Sequence, residues 1–162
     1  MCIRDRSDLM YFYKQNPDTL PIKLKTIVQT IHQLDYIPPL IYSKDLRNIE
    51  TGKWIEMMEA VAGTGMYQKI IIDISSAVSD VFSMLKFCDK VFMPIAGDAV
   101  SLMKVSAFEE YILKSEGDEI MEKIIKVKIP LTKTDNPNEN FLENQMWGEL
   151  GDYVKALLEE AA

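Results

Sequence analysis

The stretch Tyr67-Gln68-Lys69-Ile70-Ile71-Ile72-Asp73-Ile74 constrains this chain more than any other. Its isoleucines follow one another without polar alternation, so a strand built from them is apolar on both faces. Both faces of such a strand are buried only when helices pack on each side of its sheet, the arrangement of α/β domains. The flanking sequence repeats the theme. Val91 to Ile95 and Ile124 to Ile129 read as further strands, the second closing at Pro130. Between the strands the apolar spacing turns helical. One helix from about Gly52 to Ala62, capped by Thr51, carries Trp54, Met57, Met58 and Val61. A second follows Ser75-Ser76 with Val78, Val81, Phe82 and Leu85, and a third begins at Gly97-Asp98 with Leu102, Val105, Phe108 and Ile112. Each crossover has room for the dozen or so residues that a parallel connection needs. The expected fold is therefore α/β, a mostly parallel sheet flanked by helices on both faces.

The ends add less. A short helix is expected from Ser7 to Pro17, then two short strands, Ile27 to Ile31 and Leu34 to Ile37, the second stopped by Pro38-Pro39. Thr132 to Asn140 reads as loop. A final helix turns Leu150, Tyr153, Val154, Leu157 and Leu158 inward, although Gly148 and Gly151 weaken its start. Met1 to Arg6 fits no periodic pattern and reads as a non-native leader, leaving residues 7–162 as a single α/β domain that lacks its N-terminal part.

Composition narrows the setting. Only two cysteines and one histidine, His32, are present, too few for a disulfide framework or a Cys/His metal site. No apolar run approaches the roughly 20 residues of a membrane span, and no signal peptide opens the chain. A cytoplasmic protein is expected. The net charge of −7 disfavours nucleic acid and anionic lipid, which are gripped by clustered Lys and Arg. The last helix, with Glu149, Asp152, Glu159 and Glu160 against Lys155, is expected to pack on a core and not on a membrane.

Chemistry centres on Asp73. In open parallel sheets, ligands bind beyond the carboxyl ends of the strands. A carboxylate following three isoleucines must meet water, a cation or a donor at the strand's mouth, because its charge is too costly to bury in the sheet. A Walker B aspartate, which helps hold magnesium beside a nucleotide's phosphates, has this arrangement. The same pattern also suits an aspartate that, with Ser75 and Ser76, turns the chain into the next helix.

Four phrases in order carry a wider resemblance. Residues 67–73, YQKIIID, resemble the "YDYIIID" strand of the MinD/ParA family. Residues 88–95, CDKVFMPI, are similar to its "ADxVLIPV" strand. The stretch from Asp98 to Lys104 is similar to a helix opening "PDPLSLR", and residues 34–39, LDYIPP, to "LDLIPA". The resemblance extends from about Leu34 to Tyr111. It implies a P-loop NTPase-like fold, truncated at its N-terminus, from a deviant P-loop ATPase. Such a protein sandwiches ATP between two subunits and switches a protein partner that positions division, partition or pilus machinery. ATP and Mg would bind the intact protein as a homodimer, with Asp73 on the metal through water and Ser75 and Ser76 beside the nucleotide.

The departures are specific. The family's phosphate cradle is a glycine-rich loop ending in Gly-Lys-Thr, and no G-x-x-x-x-G-K-S/T occurs in this chain. Gly63-Thr64-Gly65 precedes a strand instead of following one. These residues alone are therefore expected to lack ATPase activity. Two alternatives stand beside the switch fragment. In a receiver-like signalling module Asp73 would be phosphorylated, although the acidic pair and the late lysine of that fold are missing. A non-catalytic protein-interaction domain would use the sheet only for contacts.

Overall fold

The computed structural model, which describes residues 11, 13–32, 34–37, 50–74, 78–130 and 141–160, contains two separate two-stranded sheets in place of one extended sheet. The mostly parallel sheet flanked by helices on both faces, as in P-loop NTPases, is not the fold found: among the described residues helices predominate and no large sheet lies between them. The reason lies in pairing. A strand persists where a neighbour completes its hydrogen-bond ladder, and local β-propensity cannot replace that neighbour. Residues 69–74 belong to neither sheet among the described residues.

Contacts divide the chain into two units, Met1–Phe87 and Cys88–Ala162. In the first, a 3-10 turn at Pro17–Thr19 leads into α1 (Leu20–Ile27). Leu20, Leu24 and Ile27 recur at helical spacing on one side of α1 and are buried. They form one cluster with Met57 and Val61 of α2 (Thr51–Gly63), joined by the partly buried Trp54 and Tyr67. Each buried side chain contributes roughly 1.5–3 kcal/mol through the area it removes from water. Strands β1 (Gln29–Ile31) and β2 (Leu34–Tyr36) pair antiparallel, with Thr30 opposite Asp35. So tight a connection can only reverse the chain, since a parallel crossover needs many more residues. His32 sits in that turn at φ 55°, a left-handed conformation that hairpin turns require. The unit ends with α3 (Val81–Phe87), which packs on α2 and buries Met84 and Leu85.

The second unit keeps a piece of the expected pattern. Strand β3 (Val91–Pro94) pairs in parallel with β4 (Ile124–Val127), Val91 opposite Ile124 and Pro94 opposite Val127. The crossover holds α4 (Ala99–Ser115) and α5 (Asp118–Lys123), which pack together. Gly117, at φ 78°, turns the chain between them. Among the described residues of this unit, Ile112, Ile120 and Val127 are the buried apolar ones. Glu109 is largely covered and pairs with Lys126 at 2.6 Å, tying the crossover helix to β4.

A helical hairpin of α6 (Phe141–Met146) and α7 (Glu149–Glu160) completes the described chain. The inward packing expected of α7 is not deep, because none of its residues is fully buried. Gly151 has a positive role: a Cβ there would lie 2.0 Å from the Met146 carbonyl oxygen, so the hairpin closes only around glycine. The helix expected from Ser7 falls mostly outside the described residues, as do Pro38-Pro39 and the loop from Thr132 to Asn140. Among the described residues no helix is long and apolar enough to cross a membrane.

Candidate functional site

The segment that follows α2 holds the sequence-predicted site. Gly65, at φ 65°, and Thr64, whose hydroxyl donates to the Val61 carbonyl at 2.7 Å, close the helix. Tyr67 then fixes the start of the segment. Its ring packs against the core of the first unit, and its hydroxyl donates to Asp35 Oδ2 at 3.1 Å. Asp35 Oδ1 accepts from Thr30 at 2.6 Å, so one carboxylate links both strands of the hairpin to this tyrosine. Partial burial, then the hydrogen bond and charge of Asp35, push the Tyr67 hydroxyl above the usual tyrosine range.

Beyond Tyr67 the chain belongs to no helix or strand through Ile74. Lys69, Ile70, Ile71 and Asp73 are exposed and Ile72 and Ile74 are half-buried. Ile71 is 69% exposed, far from the place expected for the centre of a helix-covered sheet. Asp73 therefore does not stand at the rim of a buried parallel sheet. It lies on an open segment, and among the described residues it has no hydrogen-bond or ion-pair partner.

After the segment the chain is fixed again. Thr51, expected to cap α2, is instead its first residue and is buried. Its hydroxyl lies 3.0 Å from Ser79 Oγ and accepts from the Asp80 backbone N–H at 3.0 Å. Asp80 in turn caps α3, accepting from the Ser83 N–H at 3.1 Å and from the Ser83 hydroxyl. Those bonds hold its carboxyl below the usual carboxylate range, the hydroxyl contributing most. Asp98 caps α4 through the same Asp-x-x-Ser spacing, accepting from Ser101 N at 2.9 Å and Ser101 Oγ at 2.6 Å. This spacing was visible in the sequence and is the signal that locates both caps.

Ser75 and Ser76, predicted beside Asp73 as cofactor-binding residues, lie outside the described residues. Among the described residues no group of three or more His, Cys, Asp or Glu side chains could hold a metal ion. Magnesium binds proteins through one or two carboxylates only when substrate phosphates complete its shell, and the sequence holds no phosphate cradle. The described residues alone therefore do not assemble a Mg–ATP site. Cys88 is half-buried. Burial first, then the neighbouring Asp89, raise its thiol above the usual range, opposed by Lys123, which leaves it a poor nucleophile at neutral pH.

Compared with protein-family models, curated proteins and solved structures, the chain matches none.

Proposed function

We propose that the chain is the partner-binding part of a switch protein of the MinD/ParA kind, the family its sequence resembles, and that residues 69–74 are its docking strand. The observation that carries this reading is the exposed apolar run through Ile71, which among the described residues belongs to no helix and no sheet, with hydrogen-bonded Tyr67 before it and Asp80 after it. Extended segments bind by adding to the edge of a partner's sheet, with main-chain bonds giving affinity and alternate side chains giving specificity. Ile71 and Asp73 would face the partner together, one supplying apolar area and the other a charge. The reading fits a non-catalytic contact role better than nucleotide chemistry, because the phosphate cradle is missing from the sequence. ATP and Mg belong, in this reading, to the intact switch protein. With Mg-ATP, the chain alone should turn over far more slowly than the ~1 s⁻¹ of slow ordinary enzymes.

A photo-crosslinking residue at position 71, compared with one at Glu59 on the exposed side of α2, tests the docking role in cells. The expected result is a discrete protein adduct at position 71 only, lost in an Ile70→Asp background. The captured partner, once purified, should slow amide exchange across residues 69–74. Equal labelling at both positions, or unchanged exchange with the partner bound, would refute the proposal.

A further inference from the structure

The run Lys69-Ile70-Ile71-Ile72-Asp73 is complementary to its own reverse, with a cation at one end, an anion at the other and isoleucines between. Lys69, Ile70, Ile71 and Asp73 are exposed, Ile70 at 38%. Among the described residues no main-chain hydrogen bond holds Ile70 through Asp73, so their N–H and C=O groups are open to another backbone. Neighbouring exposed isoleucines with an unpaired main chain are a template for strand pairing.

We propose that this run pairs with the same run of a second copy, antiparallel, about a two-fold axis at Ile71. The inference rests on the docking role of residues 69–74 and names the occupant. Register and charge together select it. In a strand Lys69, Ile71 and Asp73 fall on one face, and Ile70 and Ile72 on the other. With Ile71 opposite Ile71, Lys69 of each copy meets Asp73 of the other on the first face. On the second face Ile70 meets Ile72, so every cross-strand pair is complementary. A slip of one residue sets Lys69 opposite Ile72 or Ile74 and loses both ion pairs. A parallel pair in register would set Lys69 against Lys69 and Asp73 against Asp73, which opposes that arrangement. A two-fold contact is closed, so association stops at the dimer. So short a strand pair is small beside the roughly 1,200 Å² lower bound of stable interfaces. Two chains of net charge −7 also repel each other. The dimer is therefore weak and forms only as concentration rises.

Sedimentation velocity of the full chain over a concentration series, with amide exchange at the lowest and highest concentrations, tests it. The expected result is a reversible monomer–dimer equilibrium, with protection of residues 70–72 gained only in the concentrated sample. Lys69→Asp and Asp73→Lys should each raise the dimer dissociation constant about tenfold, because each sets like charges face to face twice. The double variant K69D/D73K should restore dimerisation, which also controls for misfolding of either single variant. Met103→Lys, at an exposed position of α4, should leave the dimer unchanged. A chain that stays monomeric at its highest soluble concentration would overturn the inference. So would assemblies larger than a dimer, a dimer insensitive to both reversals, or one lost with Met103→Lys alone. The docking role fails separately: a monomeric chain whose position 71 still captures a different protein loses only the self-pairing, whereas a monomeric chain that captures nothing loses both.

Discussion

Residues 69–74 and strand β3 are written in nearly the same chemical language, yet only β3 lies in a ladder. Both are short, apolar and rich in residues that favour extended backbone. β3 is followed by a crossover that returns β4 alongside it, and the ladder continues past the strand, with Ile95 N–H donating to the Val127 carbonyl at 2.9 Å. Residues 69–74 have no such returning strand among the described residues and lie in neither sheet. Strand formation is a property of pairs. A sequence reports the willingness of one member and is silent about the other.

The largest effect that would sharpen this contrast concerns what each region rests on. Leu24→Ala should destabilise the first unit by about 2–5 kcal/mol, because Leu24 is fully enclosed by the α1–α2 cluster. Chemical denaturation, with exchange read at α1 and α2 amides, checks this. A loss under about 1 kcal/mol would mean that the cluster is not the foundation of the segment that follows it.

Next comes the contrast itself. Amides of β3, β4 and Ile95 should exchange with solvent about 100-fold more slowly than those of residues 70–73, near 3 kcal/mol in opening free energy. Equal protection in the two stretches would show that residues 69–74 are paired in solution.

A smaller change tests the clamp after the segment. Asp80→Ala should cost about 1 kcal/mol through loss of the α3 cap. The sign with pH follows from the lowered carboxyl. Its stabilisation is complete above the ordinary carboxylate range near about pH 4 and is lost as pH falls through the lower folded value. The variant should therefore show a flatter stability profile at acid pH, measured by thermal melts across that range. An unchanged profile would remove Asp80 from the account.

Smallest of all, Ile71→Lys should shift stability by less than about 0.5 kcal/mol, since the side chain already faces solvent. A large loss would place Ile71 in a core, contrary to its exposure.

Much of the helical fold was legible. The helical spacing from Trp54 to Val61 gave α2 nearly to its ends, whereas the helix expected after Ser75-Ser76, with Val78 in its stripe, begins only at Val81 as α3. Val91 to Ile95, Asp98 as the opening of a helix and Ile124 onward were placed as well, and their parallel pairing followed from the length of the crossover. What failed was the step from strands to a sheet. Triple isoleucine reads as buried wherever partners exist, and nothing local reveals their number. The hairpin of β1 and β2 was seen as two strands, but its antiparallel sense needed the tight turn at His32. At the candidate site Asp73 was singled out while Tyr67, Asp35 and Thr51 were not, because their bonds join residues 28–32 positions apart. Such links leave no periodic trace.

The two clamps around residues 69–74 have a thermodynamic consequence. A free peptide recruited into another protein's sheet forfeits roughly 1–2 kcal/mol of backbone entropy for each residue it orders. Here Tyr67 at one end and Thr51 with Asp80 at the other confine the chain before any encounter. Part of that disorder has been surrendered during folding, so a short apolar strip could capture a partner more tightly than its length alone would suggest.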